Sequence, residues 1–281
     1  MTVRDGRISR RAWLQGVVAA GVGVATGAAG YGYLYERDRI DVTRATLPVS
    51  GLPESLDGLR VGLITDLHLS DTVPRRIIDH AVALLMAERP DLIALGGDYI
   101  SWFDRRYAQA CAEALSPLSA PHGVYAILGN HDDDREMPAA LIAQGFEVLL
   151  DARTQIRIKD EPLEIAGLRF WTRKAIEIAS VLRGATSPTL LLAHDPRRLD
   201  VAAQLDVAVV LAGHTHGGQI LLPGLGAIAA RGRRFPVLQG MIRQENTTLY
   251  VSRGVGTVYV PIRISCPPEV ALLTLQRLSA I

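Results

Sequence analysis

The sequence contains almost no cysteine: of 281 residues only Cys111 and Cys266 are cysteines, far apart and without the spacing of a thiolate metal site or a redox pair. A fold built on disulfides is excluded, and both positions read as small inert hydrophobes, Cys111 inside an expected helix and Cys266 just before Pro267-Pro268. An excess of either charge is also missing, since 30 basic residues face 29 acidic ones and leave a formal charge of +1. That balance argues against a protein whose main task is to coat nucleic acid, so no nucleic acid is expected as a dedicated partner. Lysine is scarce as well, with 28 of the 30 basic residues being arginine, a skew that by itself carries no function. The body has no internal repeat and no low-complexity stretch. Hydrophobic residues at 48% and charged residues at 21% describe an ordinary globular chain, long enough for one large domain or two modest ones.

The first residues do not read as part of the fold. Arg4, Arg7, Arg10 and Arg11 make a basic start, and an uncharged stretch of Gly, Ala and Val follows from Gly16 to Leu34. Ser9-Arg10-Arg11-Ala12-Trp13-Leu14-Gln15 resembles a twin-arginine export signal, which would make the export machinery a partner and carry the chain out already folded. No clean cleavage site precedes Tyr31, and the stretch is near the length that spans a bilayer, so residues 1–35 are expected to be either a signal or a retained membrane anchor. Arginines ahead of the stretch keep the N-terminus inside and put the body at the outer face of the cytoplasmic membrane or in the periplasm. Residues 36–57 form a lead-in segment with an edge strand over Ile40 to Leu47, and residues 58–281 are the expected domain.

From Leu59 the pattern alternates regularly. Arg60 to Thr65, Asp91 to Leu95 and Gly123 to Leu128 read as strands, and Pro74 to Glu88 and Tyr107 to Leu118 as the helices between them. Strand, helix, strand implies parallel pairing with right-handed crossovers, and ligands then gather beyond the carboxyl ends of the strands. The second half has a short helix at Pro138 to Gln144, then short strands at Glu147–Leu150, Gln155–Ile158, Leu163–Ala166 and Leu168–Trp171. A helix over Ala175 to Leu182, a strand over Thr189 to Ala193 and a helix over Pro196 to Gln204 follow. Asp206 to Leu211, Gln219 to Leu222, Thr248 to Ser252 and Val270 to Leu275 complete a second sheet. The expected fold is α/β, two mixed β-sheets packed as a sandwich flanked by helices.

Five strand ends carry metal-binding side chains: Asp66 and His68; Asp98; Asn130 with His131 and Asp132; His194; and His214 with His216. Any one of these suits a surface loop, but five at successive strand mouths do not read as accident. Asp98 offers two oxygens, enough to bridge ions about 3.5 to 4 Å apart. Asp66 and His68 are two residues apart and face the same way if strand geometry persists. Glycines 96, 97 and 129 let the backbone come close to the site.

The order Asp-x-His, Gly-Gly-Asp, Gly-Asn-His-Asp, His, Gly-His-x-His resembles the calcineurin-like metallophosphoesterases over nearly all of Leu59 to Leu275. The resemblance implies the α/β/β/α architecture of that family and two divalent ions, Mn, Zn or Fe. It gives one ion to Asp66, His68 and His216, the other to Asn130, His194 and His214, with Asp98 between them. His214 and His216 then serve different ions, which their spacing does not reveal. His131 is similar to the family histidine that stabilises the transition state or protonates the leaving oxygen, and Asp132 is expected to orient its imidazole. The twin-arginine start, His194-Asp195-Pro196, Gly213 to Gln219 and Tyr250 to Gly256 with Pro261-Ile262-Arg263 are similar to the exported YkuE-like subgroup.

Two dications against two ligand carboxylates leave a positive site suited to a phosphate ester. The resemblance implies a phosphodiesterase acting by in-line attack of a metal-bridging hydroxide, with manganese, zinc or iron as metal. The substrate is expected to be a phosphate ester, including lipid and cell-envelope phosphates. A UDP-2,3-diacylglucosamine pyrophosphatase-type hydrolase of lipid A synthesis is the alternative within the class, and a non-catalytic metal-binding scaffold the alternative outside it. Arg253 and Arg263 are expected to reach the substrate, because guanidinium grips phosphate oxygens in a fork. Arg231, Arg233 and Arg234 form a second basic cluster, while His80 and His122 read as structural or exposed.

Overall fold

The computed structural model describes residues 9–228 and 234–278, so Arg231 and Arg233 lie outside the described residues. The elements in chain order are α1 (Arg10–Leu34), β1 (Asp41–Val49), β2 (Arg60–Ile64), α2 (Arg75–Ala87), β3 (Leu92–Leu95), α3 (Ala108–Leu115) and β4 (Val124–Ala126). Next come α4 (Glu136–Ala143), β5 (Glu147–Val148), β6 (Ala152–Ile158), β7 (Glu161–Gly167), α5 (Ala175–Leu182), β8 (Thr189–Leu192), α6 (Leu199–Gln204) and β9 (Val209–Ala212). The chain closes with β10 (Leu221–Leu222), β11 (Gly226–Ala227), β12 (Gly240–Gln244), β13 (Thr247–Val251) and β14 (Glu269–Arg277).

Among the described residues the strands form two six-stranded sheets, ordered β1-β14-β2-β3-β4-β5 and β12-β13-β9-β8-β7-β6. β2, β3, β4 and β5 run parallel, as do β7, β8, β9 and β13, while β14 against β2, β6 against β7 and β12 against β13 are antiparallel. Three apolar clusters fix the layers. Leu63, Ile127, Ile165, Leu192, Leu211 and Leu273 meet between the sheets. Ile78, Leu85, Cys111, Leu115 and Leu141 seat α2, α3 and α4 on the outer face of the first sheet, and Ile178, Leu199 and Ala202 seat α5 and α6 on the second. This is the α/β/β/α sandwich that the sequence implies. Central strands such as β3, β8 and β9 are buried at every residue because helices cover one face and the other sheet covers the opposite one.

Three strand expectations need correction. β14 belongs to the first sheet, between β1 and β2, and a strand apolar on both faces carries nothing local that names its sheet. Gln219–Leu222 contributes only β10, which pairs with β11 in a separate ribbon. Leu168–Trp171 is not a strand: Leu168 packs into the core beneath the second sheet and Phe170 turns toward the site. The lead-in segment is likewise part of the body: β1 pairs with β14 in register from Asp41↔Glu269 to Val49↔Arg277, so the sandwich begins well before residue 58. Ahead of it α1 is an apolar helix of 25 residues with mostly exposed side chains, and Arg10–Asp38 is long and apolar enough to cross a membrane.

Candidate metal centre

The carboxyl ends of β2, β3, β4, β8 and β9 converge on one spot, where the parallel strands of the two sheets point the same way. Two groups of ligand atoms form there: Asp66, His68 and His216, all buried, and Asp98, His194 and His214. Within each group the ligand atoms lie within 4.8 Å of one another. Asp98 Oδ2 stands between the groups, 3.2 Å from His194 Nε2 and 3.5 Å from His68 Nε2, the position a bridging carboxylate needs.

The backbone is bent to achieve this. Asp66, His68, Asp98, His214 and His216 all have positive φ, between 51° and 69°, a region costing roughly 1–3 kcal/mol for a residue with a Cβ. Strand geometry therefore does not persist past Ile64; Asp66 and His68 reach the same group because both turn into the left-handed region. The same turn sends His214 and His216 to different groups. Close approach also requires glycine: a Cβ on Gly129 would fall 2.1 Å from Asp98 Oδ1, and one on Gly213 would fall 2.1 Å from Asp66 Oδ2.

The protonation pattern suits cation binding. Burial holds the His68 and His214 imidazoles down at about 3 and pushes His216 the same way, so all three carry a free lone pair at neutral pH. Burial also opposes a proton on His194, yet the charges of Asp98 and Asp66 push that group up to about 10. The carboxylates thus draw positive charge into the centre. His194 Nδ1 donates to the Gly96 carbonyl at 2.7 Å, which fixes the tautomer and turns Nε2 inward. His194 Nε2 and Asn130 Oδ1 are buried with no hydrogen-bond partner among the described residues, and His68 Nε2 faces His216 Nε2 at 3.1 Å. Asn130 Oδ1 and the facing nitrogens of His68 and His216 have no donor to meet them, and a cation would take the place of the proton that the carboxylates draw to His194 Nε2, so the residues fit the two ions that the resemblance implies.

His131 lies on the rim, edge-on to His68 with ring centroids 4.8 Å apart. Its Nδ1 accepts the Trp102 backbone N–H at 3.2 Å, leaving Nε2 to carry the proton of the neutral ring, and burial lowers its pKa from the usual value. Asp132 does not orient that imidazole. Its two oxygens accept the backbone N–H groups of Asp98, Tyr99, Ile100 and Gly129 at 2.7 to 3.2 Å, which ties the loop after β3 to the loop after β4.

Arg253 and Arg263 are tied into the packed body instead of opening onto the site. Arg253 bonds Glu269 and Thr43 across β14 and β1. Arg263 is fully buried, with its guanidinium spent on the carbonyls of Arg253, Gly254, Gly256 and Cys266. Their positions in a glycine-rich motif gave no hint that backbone carbonyls would take the fork. His80 is exposed, and His122 is half-buried in the turn before β4.

Two neighbours of the ligands were not among the expected site residues. Phe170 packs its ring 5.2 Å from that of His214 and 5.9 Å from that of His194, and exposed Arg173 holds its guanidinium 5.4 Å from the Phe170 centroid. Their one available signal was position: they follow the end of β7, as the ligands follow the ends of β2, β3, β4, β8 and β9. Beside the two groups opens a cavity of about 230 Å³, with Asp98, Asn130, His131 and His214 on its floor.

The family model for calcineurin-like phosphoesterases matches residues 59–218. The chain is 31% identical over 281 residues to the metallophosphoesterase YkuE of Bacillus subtilis, covering 96% of this chain and 98% of that protein. It is also 31% identical over 277 residues to the phosphodiesterase YaeI of Escherichia coli, covering 95% of this chain and 99% of the relative. Among solved structures, NAD nucleotidase of Haemophilus influenzae overlays 70% of this chain and 45% of its own with a TM-score of 0.50 at 15% identity, a likeness of fold alone. With its ligand groups and these relatives, the chain belongs to the calcineurin-like phosphoesterases and is a metal-dependent phosphoric ester hydrolase.

Proposed function

We propose that the protein is a two-metal phosphodiesterase working at the outer face of the cytoplasmic membrane. The observation that carries the reading is the place of Asp98 Oδ2, within 3.5 Å of an imidazole nitrogen of each ligand group. Asp66, His68 and His216 would hold one ion, Asn130, His194 and His214 the other, and Asp98 both. When bound, the ions supply Lewis acidity and a water that is easily deprotonated.

The protein's own residues do the rest. With the Nδ1 of His131 occupied by the Trp102 N–H, its Nε2–H is free to donate to the oxygen on which charge collects as the ester bond breaks. The Asp132 clamp sets the separation of Asp98 from Asn130, because both loops hang on one carboxylate. Two ligand carboxylates against two dications leave the centre cationic, which matches the single negative charge of a diester. A scaffold without catalysis gives no reason for a donor held at the rim by a dedicated backbone bond.

Ser9 to Gln15 and the apolar α1 support delivery by the twin-arginine route, with residues 1–35 as signal or anchor and the sandwich outside. The test of the chemistry is turnover of bis(p-nitrophenyl) phosphate by the purified full chain with added Mn²⁺ or Zn²⁺. Metal-dependent release of nitrophenol, lost in Asp98→Ala, is the expected result; turnover without metal, or full turnover in that variant, defeats the reading. A reporter fused after Ile281 that works only in the cytoplasm defeats the outer-face placement.

A further inference from the structure

The segment that walls the metal centre on one side is also the segment on which α1 ends. Val258, Tyr259 and Val260 line the cavity. A few residues on, the backbone at Ile262 to Ile264 receives Gly32 so closely that a Cβ there would fall 2.4 Å from the Arg263 carbonyl oxygen and 2.8 Å from Ile262 Cγ2. Arg263 N donates to the Gly32 carbonyl at 3.3 Å, and the buried Glu36 carboxylate accepts Cys266 N–H at 2.6 Å. The foot of α1 is thus built into the body. At about 1.5 Å per residue its 25 residues extend roughly 38 Å, more than the ~30 Å hydrocarbon core of a bilayer.

The cavity is two-natured. One part of its lining, the polar floor, is Asp98, Asn130, His131, His214 and His216, and the other, the apolar wall, is Ile220, Ile228, Phe235, Val258 and Val260. At the mouth, Tyr259 is 67% exposed, Val260 43% and Ile228 40%, and Trp102, 57% exposed, packs against Tyr259 with tilted rings 5.3 Å apart. Single exposed apolar side chains are ordinary, but a set of them lining the mouth of one pocket marks a surface that meets something apolar. A small polar diester has no use for this wall. An amphiphile uses both parts, with its phosphate on the floor and its chain along the wall.

We propose that the substrate is an amphiphilic phosphate ester of the phospholipid type, drawn from the same bilayer that holds α1. The inference rests on the phosphodiesterase reading and adds the substrate class and its source. α1 supports the source, since its foot and the cavity mouth lie on one continuous segment and the mouth stays at the membrane surface. It also makes α1 a retained anchor, because Gly32 and Glu36 are part of the packed structure.

The test uses the Mn²⁺-loaded full chain and p-nitrophenyl alkyl phosphates that share one leaving group. With ethyl, butyl, hexyl and octyl esters kept below the concentration at which they aggregate, kcat/KM is expected to climb with chain length, by up to about fourfold per methylene while the wall is being filled. Ile220→Asp and Val260→Asp are expected to flatten that slope, a readout that misfolding cannot mimic because it removes every substrate together. With the hexadecyl ester in phosphatidylcholine vesicles, faster turnover is expected when enzyme and ester share a vesicle than when they occupy separate ones. Ethyl ester hydrolysed as well as octyl overturns the inference and leaves the phosphodiesterase reading standing. Equal turnover in shared and separate vesicles overturns the membrane source, and hydrolysis of none of the esters overturns both readings.

Discussion

Replacing Arg263 with methionine separates a structural arginine from a substrate-binding one. The guanidinium is 0% exposed and its charge is met by backbone carbonyls: Nη2 donates to Arg253 at 2.8 Å and Gly256 at 2.7 Å, and Nη1 to Cys266 at 3.0 Å. Arg263→Met strands these buried acceptors, at about 1–3 kcal/mol for each one left unmade, while removing a buried charge returns part of that cost. A net loss of about 2–4 kcal/mol follows, which at roughly 2–4 °C per kcal/mol lowers Tm by about 5–15 °C. The chain from Arg253 to Gly256 also passes behind the ligands, with Gly256 N donating to the Asp66 carbonyl at 2.7 Å. The group of Asp66, His68 and His216 should therefore loosen. Scanning calorimetry with metal analysis and steady-state kinetics reads all of this: Tm down, metal content down, kcat down, KM little changed. Arg263→Lys keeps the charge without the fork and should recover only part of Tm. A methionine variant that melts with the native protein but shows KM raised tenfold would refute the argument and return Arg263 to the substrate.

Three further outcomes are expected. His214→Ala and His216→Ala should each deplete a different ion, resolved by metal counting or by spectroscopy of a cobalt-substituted site, and each should lower turnover by more than about a hundredfold; loss of the same ion from both variants contradicts the division of the ligand groups. Asp132→Asn offers one acceptor oxygen to four backbone N–H groups and should cost about 2–4 kcal/mol, read as a Tm lowered by about 5–15 °C, whereas a native Tm with a changed pH profile would restore Asp132 as the partner of His131. Gly32→Val should push the foot of α1 off Arg263 at about 1–3 kcal/mol and speed proteolysis between Tyr35 and Arg39; unchanged proteolysis would show that the foot is not packed as described.

Much of the site was legible because its information is local. Each ligand sits within a few residues of a strand end, and both strand and ligand type can be read from a short window: Arg60 to Ile64 before Asp66 and His68, Val209 to Ala212 before His214 and His216. The parallel order of β2, β3 and β4 follows equally from the alternation of apolar runs with amphipathic helices. Asp132 was misjudged for the opposite reason. A carboxylate next to His131 in the chain looks like its partner, but the left-handed turn at Asp98 brings three backbone N–H groups to it, beside that of Gly129 in its own loop.

The sequence by itself pointed to the class of chemistry, since its five motifs in their order resemble a known family of metal-dependent phosphoesterases, and it showed that an apolar stretch precedes the body. Only the tertiary structure decided what joins across long separations. It placed β14 between β1 and β2, took Arg253 and Arg263 out of the site, brought Phe170 onto His214, and seated Gly32 against Arg263 more than two hundred residues away. The physical reason is that ligand type and strand propensity belong to short stretches of chain. Which carbonyl receives a buried guanidinium, and which loop leaves room for only a glycine, depends on distances that exist once both sheets have packed.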